Sequence, residues 1–106
     1  MEIVWTIHSK EKMRFYGLSE NRVKRVINNP KRKEIGIAPG TIAVMQPNSS
    51  KHSYEIWAMY QIIKLKVKSQ KLKVITAWKY PGKSPIRGPI PIPPEILEEL
   101  GEVNNN

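Results

Sequence analysis

Three side chains able to take part in phosphoryl chemistry recur at helical spacing near the start of the chain. His8, Lys12 and Tyr16 are each four residues apart, so a helix would place them on one stripe of its surface. Histidine exchanges a proton near neutral pH, lysine stabilises negative charge, and a phenol donates a hydrogen bond. Because the chain has 18 Lys and Arg against nine acidic residues, the stripe predicts chemistry on a phosphate-containing ligand.

The acidic residues argue against a metal-dependent site. All nine are glutamates, and the chain has neither aspartate nor cysteine. Metal-dependent nucleases hold divalent cations with clustered carboxylates, often aspartates, whereas these glutamates are scattered until a final cluster at 95–102. The two histidines lie 44 residues apart, and a Ser-His-acid triad lacks a credible partner set. We therefore predict a site without a metal or other cofactor.

Two short helices with a break between them are expected to position the stripe. His8 and Ser9 are predicted to cap the first helix, and Gly17 ends it because glycine tolerates the left-handed conformation that follows a helix. Ser19 is predicted to cap the second helix, which Pro30 ends. The apolar face of the second helix consists of Val23, Val26 and Ile27.

Residues 54–80 predict a long β-hairpin with one basic face. β-branched and aromatic residues alternate with lysines on both sides of a predicted turn at Ser69-Gln70. The predicted basic face consists of Tyr60, Lys64, Lys66, Lys68, Lys71, Lys73 and Lys79. The register places two lysine pairs opposite each other, Lys68 with Lys71 and Lys66 with Lys73. Since like charges across strands are destabilising, we predict an anionic partner; protection of an edge strand is the alternative.

The remaining segments complete an α+β fold. Strands are predicted over 2–7, 33–38 and 41–46, and the three tryptophans are expected in the core. A Pro-rich strap then leads to a last helix that begins at Pro94 and stops at Gly101. The docking face of this helix is predicted to be Ile96, Leu97 and Leu100. The expected fold has two N-terminal helices packed on one face of a four- to five-stranded antiparallel sheet, followed by the strap and the short C-terminal helix.

This architecture is predicted to be a single domain. Residues 1–80 form its α+β part, and residues 81–106 contribute the strap, the short helix and a frayed tail. No apolar run approaches the roughly 20 residues that a membrane-spanning helix needs. We therefore expect a cytoplasmic protein without a membrane partner.

A motif in the N-terminal half resembles a known group of proteins. A histidine opens the first helix, a basic residue and Met follow, and Gly-aliphatic-Ser precedes a helix ending in Asn-Pro. Its residues are His8, Lys12-Met13, Gly17-Leu18-Ser19, Val23, Val26-Ile27 and Asn29-Pro30, with a V-x-T-like strand at Val74-Ile75-Thr76. Over roughly residues 3–80, this pattern resembles the small bacterial RelE/BrnT-like toxin-related domains. Lys12 and Tyr16 depart from it, because arginines are usual on the first helix.

The resemblance implies a barnase–EndoU–colicin–RelE-like fold, RNA cleavage as the ancestral activity, and a place in a toxin–antitoxin pair. A metal-independent ribonuclease uses the 2′-hydroxyl of RNA as nucleophile and needs a base, cations for the phosphate and an acid. The predicted catalytic residues are His8, Lys12, Lys79 and Tyr60. The predicted RNA-binding residues are Lys10, Arg14, Lys64, Lys66, Lys68, Lys71 and Lys73.

Two other functions remain open from the sequence. A nucleic-acid-binding module without chemistry would lay its basic hairpin along a phosphate backbone, whereas the toxin-like enzyme would meet its RNA free or on the ribosome. An interaction protein would instead meet an acidic, antitoxin-like partner. For His8 itself, the alternative to catalysis is a helix cap with its ring in water.

Overall fold

One five-stranded sheet organises the chain, with helices against both of its faces. The structure is a computed structural model that describes residues 1–48, 52–66 and 69–104, with side chains through residue 101. Its elements are β1 (Glu2–Trp5), α1 (Ile7–Tyr16), α2 (Glu20–Asn28), β2 (Arg32–Ile35), β3 (Thr41–Asn48), β4 (Tyr54–Lys66), β5 (Ser69–Pro81) and α3 (Pro94–Asn104). The predicted α+β class is confirmed. Among the described residues, no helix is long and apolar enough to cross a membrane.

The sheet is mixed rather than antiparallel as predicted. Its strand order is β1-β5-β4-β3-β2. β2 to β5 form an antiparallel meander, whereas β1 runs parallel to β5. A short turn forces antiparallel pairing, but β1 reaches its neighbour only through the rest of the chain. Its direction therefore depends on tertiary packing, which the sequence of β1 does not specify.

Each face of the sheet carries its own core. On the α2 face, Val23 and Val26 are fully buried against strand residues such as Ile56. On the opposite α3 face, Ile96 of α3 packs with Trp57 and other strand residues. The indole ring of Trp57 stacks on that of Trp78 with centroids 5.9 Å apart. The prediction that tryptophans fill the core is confirmed for these two fully buried rings.

The first helix lies at the edge of the sheet instead of wholly on one face. β1 ends at Trp5, opposite Val74, and the Thr6 hydroxyl donates to the Val74 carbonyl at 2.9 Å. From there α1 follows β5, and Tyr16 near its end packs against both cores. The prediction of two helices on one face therefore holds for α2 and only partly for α1. This position lets the His8 stripe face α3.

The helix ends follow local sequence, with two exceptions. Gly17 ends α1 with φ at 68°, and Ser19 caps α2 by accepting from the Arg22 N–H, both as predicted. The α1 cap is wrong: Thr6, not His8 or Ser9, accepts from the Ser9 N–H at 3.0 Å. The predicted stop at Gly101 is also wrong, because α3 continues to Asn104.

The docking face of α3 is narrower than predicted. Ile96 and Leu100 are buried in the α3-face core, whereas Leu97 is 47% exposed. Residues 96 and 100 are four positions apart and share a stripe, while residue 97 points about 100° away from residue 96. Two apolar side chains therefore anchor this helix to the sheet.

The β4–β5 hairpin adopts a different register from the predicted one. Lys66 faces Ser69, and the residues between them lie outside the described part of the chain. Lys71 faces Ile63 and Lys73 faces Gln61, so neither predicted lysine pair forms as proposed. The observed register pairs Trp57 with Trp78. Burial of these two rings outweighs the lysine alternation on which the predicted register was based.

Candidate functional site

The predicted stripe on α1 does come together, and carboxylates of α3 lie against it. We call this group the His8 cluster: His8, Lys12, Tyr16, Glu95 and Glu99. His8 Nδ1 lies 3.2 Å from Glu99 Oε2, and Lys12 Nζ lies 2.9 Å from Glu99 Oε1. The Tyr16 hydroxyl donates to Glu95 Oε1 at 3.3 Å. One helix supplies the proton donors and cations, and the other supplies the negative charge.

Most side chains of the His8 cluster are partly buried, which affects the interactions between their charges and the pKa of Tyr16. The side chains of His8 and Lys12 are 23% and 15% exposed, and that of Glu99 is 35% exposed. Desolvation raises the pKa of Tyr16 to about 12, assisted by the charge and hydrogen bond of Glu95 and by the charge of Glu99. Tyr16 therefore stays protonated at neutral pH and acts as a hydrogen-bond donor.

The two nitrogens of His8 have different surroundings. Nδ1 is at ion-pair distance from Glu99 but without hydrogen-bond geometry, and Nε2 is buried with no hydrogen-bond partner. His8 also lines a cavity of about 140 Å³ together with Thr6, Lys73 and Glu99. The negative charge of Glu99 attracts a proton to the nearer nitrogen, Nδ1, and a neutral ring protonated there has Nε2 as its acceptor. A histidine held in this way can serve as a general base.

The predicted basic face is divided between the two faces of the sheet. Lys64 lies on the α2 face opposite Gln70, whereas Lys71 and Lys73 lie on the α3 face. Lys64 and Lys66 are exposed, and Lys71 forms an ion pair with Glu2 at 3.5 Å. Lys68 lies outside the described residues. The prediction of a single lysine face is therefore wrong, since the true register and a bulge between Met59 and Tyr60 separate its members.

Several predicted site residues lie away from the His8 cluster. Tyr60 is 6% exposed in the α2-face core, and desolvation raises its pKa. Its ring is therefore covered and cannot stack on a base. Lys79 lies over the ring of Tyr54, with its Nζ 4.8 Å from the ring centroid. Of the predicted site residues on the hairpin that the structure describes, Lys73 alone lines the His8 cavity. Lys10 and Arg14 are exposed on α1.

A second arrangement of polar groups, missed from the sequence, anchors the strap. Arg32 donates through Nη1 to Ser84 Oγ at 3.1 Å and through Nη2 to the Gly88 carbonyl at 2.8 Å. Its Nε donates to Glu34 Oε1 at 3.0 Å, and its guanidinium lies 5.3 Å from the ring centroid of Trp57. The available signal was the alternation along β2, which puts Arg32 and Glu34 on one face.

Glu55 is the buried carboxylate of this second arrangement. The residue is 3% exposed. Oε1 accepts from Trp57 Nε1 at 3.0 Å, and Oε2 accepts from the Ser84 backbone N–H at 3.1 Å. Both oxygens are thus occupied by neutral donors, which fixes the strap onto the α3 face.

Within residues 1–48, 52–66 and 69–101, no group of three or more His, Cys, Asp and Glu side chains is placed to hold a metal ion. Comparison of the chain with protein-family models, curated proteins and solved structures gives no significant match. The RelE/BrnT-like relationship thus stays a prediction, and the functional argument rests on the geometry of the site.

Proposed function

We propose that this protein binds RNA and cleaves it without a metal, using the 2′-hydroxyl of the substrate as nucleophile. One observation carries the proposal: His8 lines a cavity together with Lys73, has a carboxylate beside its Nδ1 and has a buried Nε2 without a hydrogen-bond partner. The toxin-like role predicted from the resemblance belongs to the same proposal.

The roles of the cluster follow from the chemistry of the reaction. His8 Nε2 takes the proton of the 2′-hydroxyl, whose oxygen bonds to the adjacent phosphorus while the bond to the 5′-oxygen breaks. Glu99 stabilises the imidazolium that forms. The ammonium groups of Lys12 and Lys73 attract the phosphate oxygens, and Lys73 gives a proton to the departing 5′-oxygen. The products carry a 2′,3′-cyclic phosphate and a 5′-hydroxyl.

The size of the cavity limits what it receives. At about 140 Å³, it is smaller than the roughly 300–1,000 Å³ of pockets that enclose a whole ligand. The His8 cavity therefore accommodates only the reacting phosphate and hydroxyl, and most of the RNA must bind elsewhere on the surface. Glu99 holds Lys12 in the absence of substrate, so a phosphate competes with this carboxylate for the cation.

The test is cleavage in EDTA of an RNA and of its DNA counterpart. We expect the wild-type protein to cut RNA alone, and His8→Ala to lower the rate by about 100-fold or more, as loss of a general base does. His52→Ala, at the other histidine, is the matched control and should cut normally. Cleavage of DNA would contradict the 2′-hydroxyl mechanism, and an active His8→Ala protein would contradict the role of His8.

A second candidate is an RNA-binding module without catalysis. It is favoured by the fact that His8 and Lys12 share one carboxylate, which is also what a purely structural contact between α1 and α3 requires. RNA binding by the wild-type protein, with no products under the same conditions, would establish this alternative. The sequence also predicted an acidic, antitoxin-like partner. Within the chain itself, Glu95 and Glu99 already supply negative charge next to the basic residues of α1.

A further inference from the structure

We propose that a cavity between the strap and the start of β2, here called the strap pocket, binds one nucleotide unit of a single-stranded RNA with its phosphate at Lys31 and Lys83. The inference rests on the proposed function, for which it supplies the RNA-binding surface. The strap pocket has a volume of about 350 Å³, within the range of cavities that enclose ligands of nucleotide size.

The walls of the strap pocket are mostly apolar. Met45, Pro47 and Ile86 line it together with the charged residues. Ile86 is 86% exposed, so a large apolar side chain stands in solvent beside the cavity. A flat nucleobase placed against this side chain would remove apolar surface from water. The walls thus fit the base of a nucleotide.

The polar groups inside the strap pocket are already engaged with the protein. Both oxygens of Glu55 accept hydrogen bonds from Trp57 and Ser84. All three nitrogens of Arg32 donate to protein acceptors, among them Glu34 and the Gly88 carbonyl. These bonds preform the pocket, so binding requires little reorganisation.

The remaining charge selects an anion. Lys31 and Lys83 are exposed, and within the described part of the chain neither ammonium forms an ion pair. Three cations, Arg32 and the two lysines, stand against the carboxylates of Glu34 and Glu55, which leaves one net positive charge. A phosphodiester carries one negative charge, which matches this excess.

A neighbouring cavity indicates a polymer rather than a free nucleotide. It has a volume of about 240 Å³ and is lined by Tyr54, Gly82, Pro47 and Lys83, and it shares the last two residues with the strap pocket. Lys83 therefore stands between two adjoining cavities, as a phosphate contact does between consecutive nucleotides. Single-stranded nucleic acid is commonly bound along such a track of cations and apolar or aromatic side chains.

The strap pocket and the His8 cavity lie towards opposite ends of β5. Lys73 lines the His8 cavity, and Pro81 ends the strand just before the residues that line the strap pocket. Eight residues of extended chain span about 26 Å at about 3.3 Å per residue. An RNA strand that reaches both must therefore be several nucleotides long, and very short oligonucleotides should bind at one site only.

The experiment is a fluorescence-anisotropy titration in EDTA at several salt concentrations. The ligand is a labelled uridine dodecamer whose 2′-hydroxyls are methylated, so that cleavage does not interfere. Lys31→Ala/Lys83→Ala should weaken binding about tenfold and lower the log–log salt slope by about 0.7, the value for one single-strand phosphate contact. Lys24→Ala/Lys33→Ala is the matched control on the other side of the sheet and should change affinity less than twofold.

The outcomes separate this inference from the proposed function. Unchanged affinity of Lys31→Ala/Lys83→Ala would overturn the strap pocket, while His8-dependent cleavage could still stand. Uridine monophosphate binding as tightly as the dodecamer would overturn the RNA track in favour of a free nucleotide. An acidic peptide of equal charge that competes equally well would overturn RNA as the ligand. Wild-type protein that does not bind RNA at all would remove both proposals.

Discussion

The His8 cluster and the strap pocket combine the same ingredients and use them differently. In the cluster, one carboxylate of α3 lies beside both His8 and Lys12. In the strap pocket, the carboxylate of Glu55 is occupied by two neutral N–H donors, and the nearby lysines are left without a carboxylate among the described residues. From this difference we infer that the number of basic residues does not by itself identify an anion site. What matters is whether the lysines are already paired with a carboxylate, as Lys12 is, or left without one in the described part of the chain, as Lys31 and Lys83 are.

The lysines of the two regions also differ in how far they are buried. Lys12 is 15% exposed at its side chain, whereas Lys31 and Lys83 are exposed. A partly buried cation close to a base is suited to chemistry, because fixed charges act more strongly where water is excluded. Exposed cations beside an apolar wall instead attract and hold a polyanion, with a strong dependence on salt.

The largest expected effect on stability comes from weakening the packing of α3 on the sheet. This helix carries Glu95 and Glu99, the carboxylates that distinguish the His8 cluster from the strap pocket. Ile96 is fully buried in the α3-face core, so Ile96→Ala should lower the free energy of unfolding by about 3 kcal/mol. Leu97→Ala, at the exposed neighbouring position, should cost less than about 1 kcal/mol. Urea denaturation measures both. Equal effects of the two substitutions would contradict the observed docking face.

The next effect concerns the carboxylate of the strap pocket. Glu55→Ala leaves the indole N–H of Trp57 and the backbone N–H of Ser84 without acceptors in a buried place, which should cost about 2 kcal/mol. Glu2→Ala removes only a surface ion pair with Lys71 and should cost less than about 0.5 kcal/mol. The same urea titrations compare them. A neutral effect of Glu55→Ala would mean that the strap is held without this residue.

A smaller effect is expected where the His8 cluster is made to resemble the strap pocket. Glu99→Gln removes the charge shared by His8 and Lys12, so RNA affinity should rise about fivefold, equivalent to about 1 kcal/mol. Cleavage should fall, because the imidazolium loses its stabilising carboxylate. Affinity and single-turnover cleavage are measured on the same RNA. If Glu99 has a purely structural role, Glu99→Gln will not raise RNA affinity while lowering the cleavage rate.

Most helix ends were predictable from local sequence, although the α1 cap and the end of α3 were not, and the strand direction and register set by tertiary contact were not. The end of α1 at Gly17, the Ser19 cap and the start of α3 at Pro94 follow from the conformational preferences of single residues. The parallel direction of β1 and the hairpin register depend on which distant residues pack together. The lysine alternation favoured one register, but the stacked rings of Trp57 and Trp78 determined another.

In the candidate site, the residues close together in the sequence were predicted, and their partners far along the chain were not. His8, Lys12 and Tyr16 were expected on one stripe because four-residue spacing brings side chains together on a helix. Their partner Glu99 lies 87 residues from Lys12 in the sequence, and no local pattern links the two. The strap pocket was missed for a related reason, since Arg32 and Glu55 meet the strap only through the folded sheet.

The smallest expected effect is a pH dependence that distinguishes the buried cluster from the exposed pocket. The pKa of Tyr16 is raised from its ordinary value of 10.0 to about 12 in the folded protein, first by desolvation and then by Glu95. Between these values the folded state keeps a proton that the unfolded chain releases, so stability is lost as the pH rises from 10 towards 12. Tyr16→Phe cannot titrate and should lose stability less steeply across this range. Urea titrations at pH 9, 10 and 11 measure the difference, and parallel curves for the two proteins would show that Glu95 and burial do not act on Tyr16 as described.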